Sequence, residues 1–112
     1  MVERLGRKSL DKLLTGEFNL GPVVIKCYNN SCHLCHELKP FFQQLSKRTP
    51  AIKFFAFNME DGAGLEKKYS FEGVPTILFV DSGKVEVMPE PENPHPKHWY
   101  HLADLEKFIN HE

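Results

Sequence analysis

A chain of 112 residues with 41% hydrophobic and 12% aromatic content carries enough apolar side chain for one buried core, which excludes disorder as its resting state. Its 14 Lys and Arg stand against 15 Asp and Glu, for a formal net charge of −1, and so even a balance excludes the basic field that gathers nucleic acid or anionic lipid. The longest apolar stretches, 22–25 and 76–80, are strand-length and far short of a bilayer span, and residues 1–12 lack the apolar run of a secretion signal.

Residues 2–5 read as a short edge strand. Ser9 is a candidate cap for a helix over 10–14, with Leu10, Leu13 and Leu14 on one face and Gly16 as the stop. After the turn at Gly21 and Pro22, the run 23–28 is β-branched and nearly all apolar, broken only by Lys26, which predicts a central strand buried on both faces. Asn29, Asn30 and Ser31 supply turn and cap chemistry. Leu34, Leu38, Phe41, Phe42 and Leu45 then fall at helical spacing, so a helix begins at or beside Cys32, and Pro40 inside it predicts a bend.

A second strand is predicted over 52–58 and a short helix over 64–69, which makes a β-α-β unit with parallel strands. Residues 76–80 and 84–88 read as an antiparallel pair joined by Asp81-Ser82-Gly83. Pro89, Pro91, Pro94 and Pro96 hold half of the 8 prolines and predict an irregular, semi-rigid loop over 89–101. A last amphipathic helix follows over 102–110. With no internal repeat and no linker, the reading is one α/β domain over 1–112, a mixed central sheet flanked by helices.

Three cysteines cannot all pair within one monomer, and two of them stand three positions apart, which is a poor staple for a fold. The pattern fits a reducing compartment, and the cytoplasm is the expected location. Cys32 and Cys35 lie one helical turn apart at a helix start. There Cys32 meets unpaired backbone amides and the positive end of the helix dipole, which favours a thiolate by about 0.3–1 kcal/mol. Cys32 is therefore the candidate nucleophile, and Cys35, a turn deeper, the resolving thiol. His33, between them, is a candidate for tuning the pair through its charge.

The same residues leave alternatives open. Cys32-His33-Leu34-Cys35-His36 also satisfies the c-type haem attachment pattern, with Met59 or Met88 as possible distal ligands, and Cys-x-x-Cys can begin a zinc or iron–sulfur site. Cys27 reads as a small buried hydrophobe. Lys26 either snorkels to an edge or sits near Cys35 and favours its thiolate. His95, His98 and His101 form a loose cluster expected in solvent, Trp99 and Tyr100 are expected to pin the loop to the core, and Phe54, Phe55 and Phe57 belong to a core strand.

With these features together, the chain resembles the thioredoxin family from about residue 9 to residue 109. The likeness rests on the strand-to-helix Cys-x-x-Cys, Pro40, Gly73-Val74-Pro75-Thr76 before a strand, the 81–83 turn and the C-terminal helix. The resemblance implies a cis bond before Pro75, a substrate-pairing backbone at Val74, and thiol–disulfide exchange on protein disulfides with no cofactor beyond the Cys32–Cys35 disulfide. It also implies a monomer fed by an electron donor, with thioredoxin reductase or glutathione as candidates. Where the family carries Trp-Cys-Gly-Pro-Cys, Ser31 takes the tryptophan's place as a substrate-binding position and Leu34 takes the proline's as a redox-tuning one. The family's buried acid falls at Lys26 and its lysine partner at Ala56, so the usual proton relay lacks both residues. The 89–101 insertion lands where the family has a short loop near its active site. A redox-inactive binding module on the same fold is the remaining alternative.

Overall fold

The computed structural model describes residues 2–62 and 64–111; Met1, Ala63 and Glu112, which the one-domain reading of 1–112 includes, lie outside the described residues. Five strands form one mixed sheet: β1 (Val2–Arg4), β2 (Val23–Tyr28), β3 (Lys53–Asn58), β4 (Thr76–Asp81) and β5 (Lys84–Val87), in the order β1-β3-β2-β4-β5. β3 runs parallel to both β1 and β2, whereas β4 is antiparallel to β2 and to β5. The helices are α1 (Arg7–Leu14), α2 (His33–Arg48), α3 (Leu65–Lys68) and α4 (Leu102–Asn110).

The central place of β2 follows from its composition, because a strand with helices over both faces must be apolar at every position rather than at alternate ones. Val23, Ile25 and Cys27 face a core built with Leu10, Leu13 and Leu14 of α1 and Leu65 of α3. Val24 faces the opposite core, where Leu38, Phe42 and Leu45 of α2 meet Leu105 and Ile109 of α4. Phe42 and Phe54 pack edge to face there at 5.1 Å between centroids, and burial of each such ring stabilises the fold by roughly 1.5–3 kcal/mol. The two-residue period of a strand puts Lys26 on this second face, opposite Cys27.

Three local readings are corrected. α1 starts earlier than Ser9: its N-cap is Gly6, and Ser9 lies within the helix. The β4–β5 turn is tighter than three residues, since Asp81 pairs with Lys84 and only Ser82 and Gly83 make the turn, both with positive φ (52° and 80°), as a two-residue hairpin of right-handed twist requires. The proline-rich loop is not wholly irregular. His95 and Trp99 exchange two backbone hydrogen bonds of 2.9 Å across an antiparallel bridge, possible because the prolines at 94 and 96 flank the paired amides rather than occupy them.

Candidate active site

The β2–α2 connection is tied down from β3. Asn58, at the end of β3 and buried, donates from Nδ2 to Asn30 Oδ1 at 2.9 Å, while Asn30 N–H donates to Glu60 Oε2 at 2.8 Å. These bonds fix the loop that delivers Cys32 to the first turn of α2. Cys32 itself is the N-cap, with extended backbone (φ −84°, ψ 102°), and its Sγ accepts the Cys35 N–H at 3.0 Å. Ser31 is not the cap; it is exposed, and its hydroxyl meets Asn29 Oδ1 at 3.3 Å.

Cys32 and Cys35 form a disulfide with Cα atoms 5.2 Å apart. Cys35 is buried at 3% exposure, whereas Cys32 is partly open to solvent. An approaching group therefore meets Cys32 first. The backbone donor that reaches Cys32 Sγ would also stabilise a thiolate there, since a hydrogen bond to the charged form favours it. Cys27 takes no part: it is fully buried on the far face of β2, and burial pushes its thiol up to about 12.

Two hollows lie around the first turn of α2; Cys32 and Cys35 line the first, and Leu34, between them in the chain, lines the second. One is a cavity of about 330 Å³ lined by Cys32, Cys35, Lys26, His36, Lys39 and Phe42, among others. Lys26 is 5% exposed and does not snorkel to an edge, because β2 is central and the ammonium turns under α2, over the rings of Phe42 (5.4 Å) and Tyr28 (5.9 Å). Burial pulls its pKa from 10.5 down to about 8, with the charge of Lys39 acting in the same direction. It remains mostly cationic at neutral pH. Lys26 and Ala56 are partners in register across β2 and β3, so a cation stands on one strand and a methyl group on its neighbour.

The other hollow, of about 190 Å³, is lined by Leu34, Val74, Pro75, Met88, Trp99 and Tyr100, with Glu72 and Glu90 beside them. The Val74–Pro75 peptide is cis, and Thr76 Oγ1 donates to Gly73 O at 2.5 Å just beyond it. The 89–101 loop closes this side. Tyr100 is buried, its hydroxyl 3.4 Å from Pro75 O, and burial pushes that hydroxyl up to about 12. Trp99, held at φ 67° by the bridge to His95, packs partly on the core and partly lines the hollow.

His33 is an exposed first-turn residue, 80% open, with Nε2 3.8 Å from Glu37 Oε1. His98 is not in solvent as expected. It is 6% exposed, with Nδ1 2.7 Å from Tyr100 O, its ring stacked on His95 at 3.8 Å and tilted against Phe41 at 4.9 Å. An imidazole can be buried this way when one nitrogen finds a local carbonyl and the ring faces find other rings. His101 lies 5.5 Å from His95 and sits 2.5 Å from Asn93 O through Nε2. Met88 is buried in the core under α2 and α4, whereas Met59 packs on the opposite core, and His36 stays exposed at the rim of the larger hollow. Among the described residues no group of three or more His, Cys, Asp or Glu is arranged to hold a metal ion.

Lys39 and Trp99 are the site residues that the sequence reading missed. Lys39 had a signal, because positions 32, 36 and 39 share one face of a helix. Trp99 had none beyond its place in the insertion.

A mixed sheet of this order, with a cysteine pair at the first turn after its central strand and a cis-proline loop beside it, defines a thioredoxin-like thiol–disulfide site. The sequence profile of the Thioredoxin family matches residues 5–99, and the chain belongs to the thioredoxin family. A thioredoxin H-type of Ricinus communis is 24% identical over 75 residues, covering 67% of this chain and 64% of that protein. An Arabidopsis thaliana protein described as an inactive TPR repeat-containing thioredoxin, TTL3, is 31% identical over 86 residues, 76% of this chain but 12% of its own length. The fold of Plasmodium falciparum thioredoxin superposes with a TM-score of 0.76 at 15% identity, covering 98% of both chains.

Proposed function

We propose that the protein catalyses thiol–disulfide exchange on protein substrates and acts as a disulfide reductase. Its redox group is the Cys32–Cys35 pair, without a further cofactor or metal. In the reduced state the Cys32 thiolate attacks a substrate disulfide, forms a mixed disulfide and releases one substrate thiolate, which takes up a proton. Cys35 then loses its proton, attacks Cys32 Sγ and releases the second substrate thiol as the Cys32–Cys35 bond forms. Two electrons pass from the dithiol to the substrate.

The observation that carries this reading is the asymmetry of the pair: Cys32 is reachable and accepts the Cys35 N–H at 3.0 Å, while Cys35 is buried behind it. Val74 and Pro75 hold an extended substrate strand beside Cys32, with Ser31 and Leu34 at its edges and Trp99 walling the apolar hollow. Lys26 favours the Cys35 thiolate by charge, and His33 adds a small, solvent-screened contribution at Cys32. The protein works as a monomer in the cytoplasm and draws electrons from a dithiol or thiol donor, either thioredoxin reductase or glutathione.

The test is reduction of a disulfide-linked protein such as insulin, with dithiothreitol regenerating the dithiol. Wild type accelerates it, and Cys32→Ser loses the acceleration by at least ~100-fold, as removal of a covalent nucleophile does. Full activity in Cys32→Ser would end the proposal.

A further inference from the structure

The cavity beside the disulfide gathers more positive charge than a cation favouring the Cys35 thiolate requires. Lys26, Lys39, Arg4 and His36 line it, and none of the described lining residues is a carboxylate. Arg4 is spoken for by Asp61, at 2.9 Å. Lys26 is not: it is 95% out of solvent (5% exposed), and its ammonium has two ring faces near it but no carboxylate or hydrogen-bond acceptor among the described residues. The ammonium nitrogen is not sealed off, since among the described residues no side-chain nitrogen or oxygen is both buried and without a hydrogen-bond partner; Lys26 lines an open cavity of a size for a small organic molecule, which leaves room for an anion to come from outside. The two sulfurs share the same wall. What enters therefore meets a cation at one end and a disulfide-forming pair at the other.

We propose that this cavity binds small carboxylate-bearing disulfides, with the carboxylate against Lys26 and Lys39 and the ligand's sulfur against Cys32. The inference rests on the exchange chemistry proposed above and adds to it a second substrate class. The Cys32 thiolate attacks one sulfur of RS–SR, giving a Cys32–S–SR mixed disulfide and RS⁻, which takes a proton from water. Cys35 gives up its proton, attacks Cys32 Sγ and expels the second RS⁻, so one dithiol and one RSSR become one protein disulfide and two RSH.

The experiment follows oxidation of the reduced full chain by three probes in acid-quenched time courses: dithiodipropionate, a dianion; hydroxyethyl disulfide, neutral; and cystamine, a dication. Each rate is divided by that of dithiothreitol with the same probe, which removes the probes' intrinsic reactivity. The normalised preference for dithiodipropionate over hydroxyethyl disulfide is expected to be roughly tenfold at low salt, with cystamine disfavoured, and to fall in about 1 M salt. Lys26→Met and Lys39→Gln should each shrink it several-fold. Because the readout is a ratio within one variant, a general change in thiol reactivity cancels. Lys39 is exposed, so its variant carries the test if Lys26→Met fails to fold. Equal normalised rates for the three probes in wild type overturn the anion site and leave protein-disulfide exchange standing. A preference untouched by the lysine substitutions overturns the assignment of the site. Failure of all three probes to oxidise the dithiol overturns the exchange chemistry itself.

Discussion

The two hollows around the first turn of α2 are built from opposite materials. On the Lys26 side the strand β2 and the helix α2 supply cations and amides, and among the described residues no carboxylate lines the wall. On the Val74–Pro75 side the walls are Leu34, Met88, Trp99 and Tyr100, and the charges nearby, Glu72 and Glu90, are negative. The cysteine pair lines the first hollow, and the second is lined by Leu34, which stands between the two cysteines in the chain. The first side is set by a single residue on a core strand, whereas the second is set by the loop over 89–101. Changes in one should leave the other intact, and that independence is what substitution can break.

The largest effect falls on the Lys26 side and appears in stability. A lysine whose folded-state pKa is about 8 instead of 10.5 binds fewer protons folded than unfolded, so its charge works against folding at pH 7 and the penalty disappears as pH rises through about 8 to 10.5. Lys26→Met should therefore unfold at higher urea concentration than wild type at pH 7, by ~1–3 kcal/mol. The gap between the two proteins should close toward pH 10. The difference is the quantity to measure, because Cys27 and Tyr100, both pushed up to about 12 by burial, lower stability with rising pH in both proteins alike. A variant less stable than wild type at pH 7 would mean that the ammonium is compensated after all.

A smaller effect belongs to the other side. Trp99→Ala removes the outer wall of the apolar hollow, and KM for a protein disulfide should rise roughly five- to tenfold, in keeping with ~1–1.4 kcal/mol of lost apolar contact. The rate with neutral hydroxyethyl disulfide, too small to span the groove, should stay within about twofold. Equal losses with both substrates would place the effect on the disulfide rather than on the wall. The smallest effect is expected at His33. Its ring is 80% open and leans on Glu37, so titrations of thiolate absorbance in His33→Ala and wild type should nearly superimpose, as expected when a surface charge is screened by solvent.

Much of this architecture is legible in residues 23–28. An apolar strand broken by one lysine foretells the central position of β2, but it leaves open whether Lys26 snorkels to an edge or sits near Cys35, which the place of β2 between β3 and β4 decides. The cysteine pair is legible for a different reason, since its spacing is local, whereas the cis bond and substrate role at Val74–Pro75 are legible through the resemblance to the thioredoxin family. The loop over 89–101 was less so. Its prolines, histidines and charges read as solvent-facing, yet His98 is buried against His95 and Phe41 with its nitrogen on the Tyr100 carbonyl, a pattern of ring contacts that no spacing rule encodes. Ser9 misled for a simpler reason: a capping side chain is useful only at the helix end, and the chain turns into α1 three residues earlier, at Gly6.

The central claim is that Cys32 is the attacking sulfur and Cys35 the buried resolver. Incubating reduced Cys35→Ser with insulin and mapping the trapped covalent complex by peptide mass spectrometry tests this most directly. The account predicts a stable mixed disulfide between Cys32 and a substrate cysteine, with Cys27 still a free thiol. A complex linked through Cys27, or none at all, would contradict it.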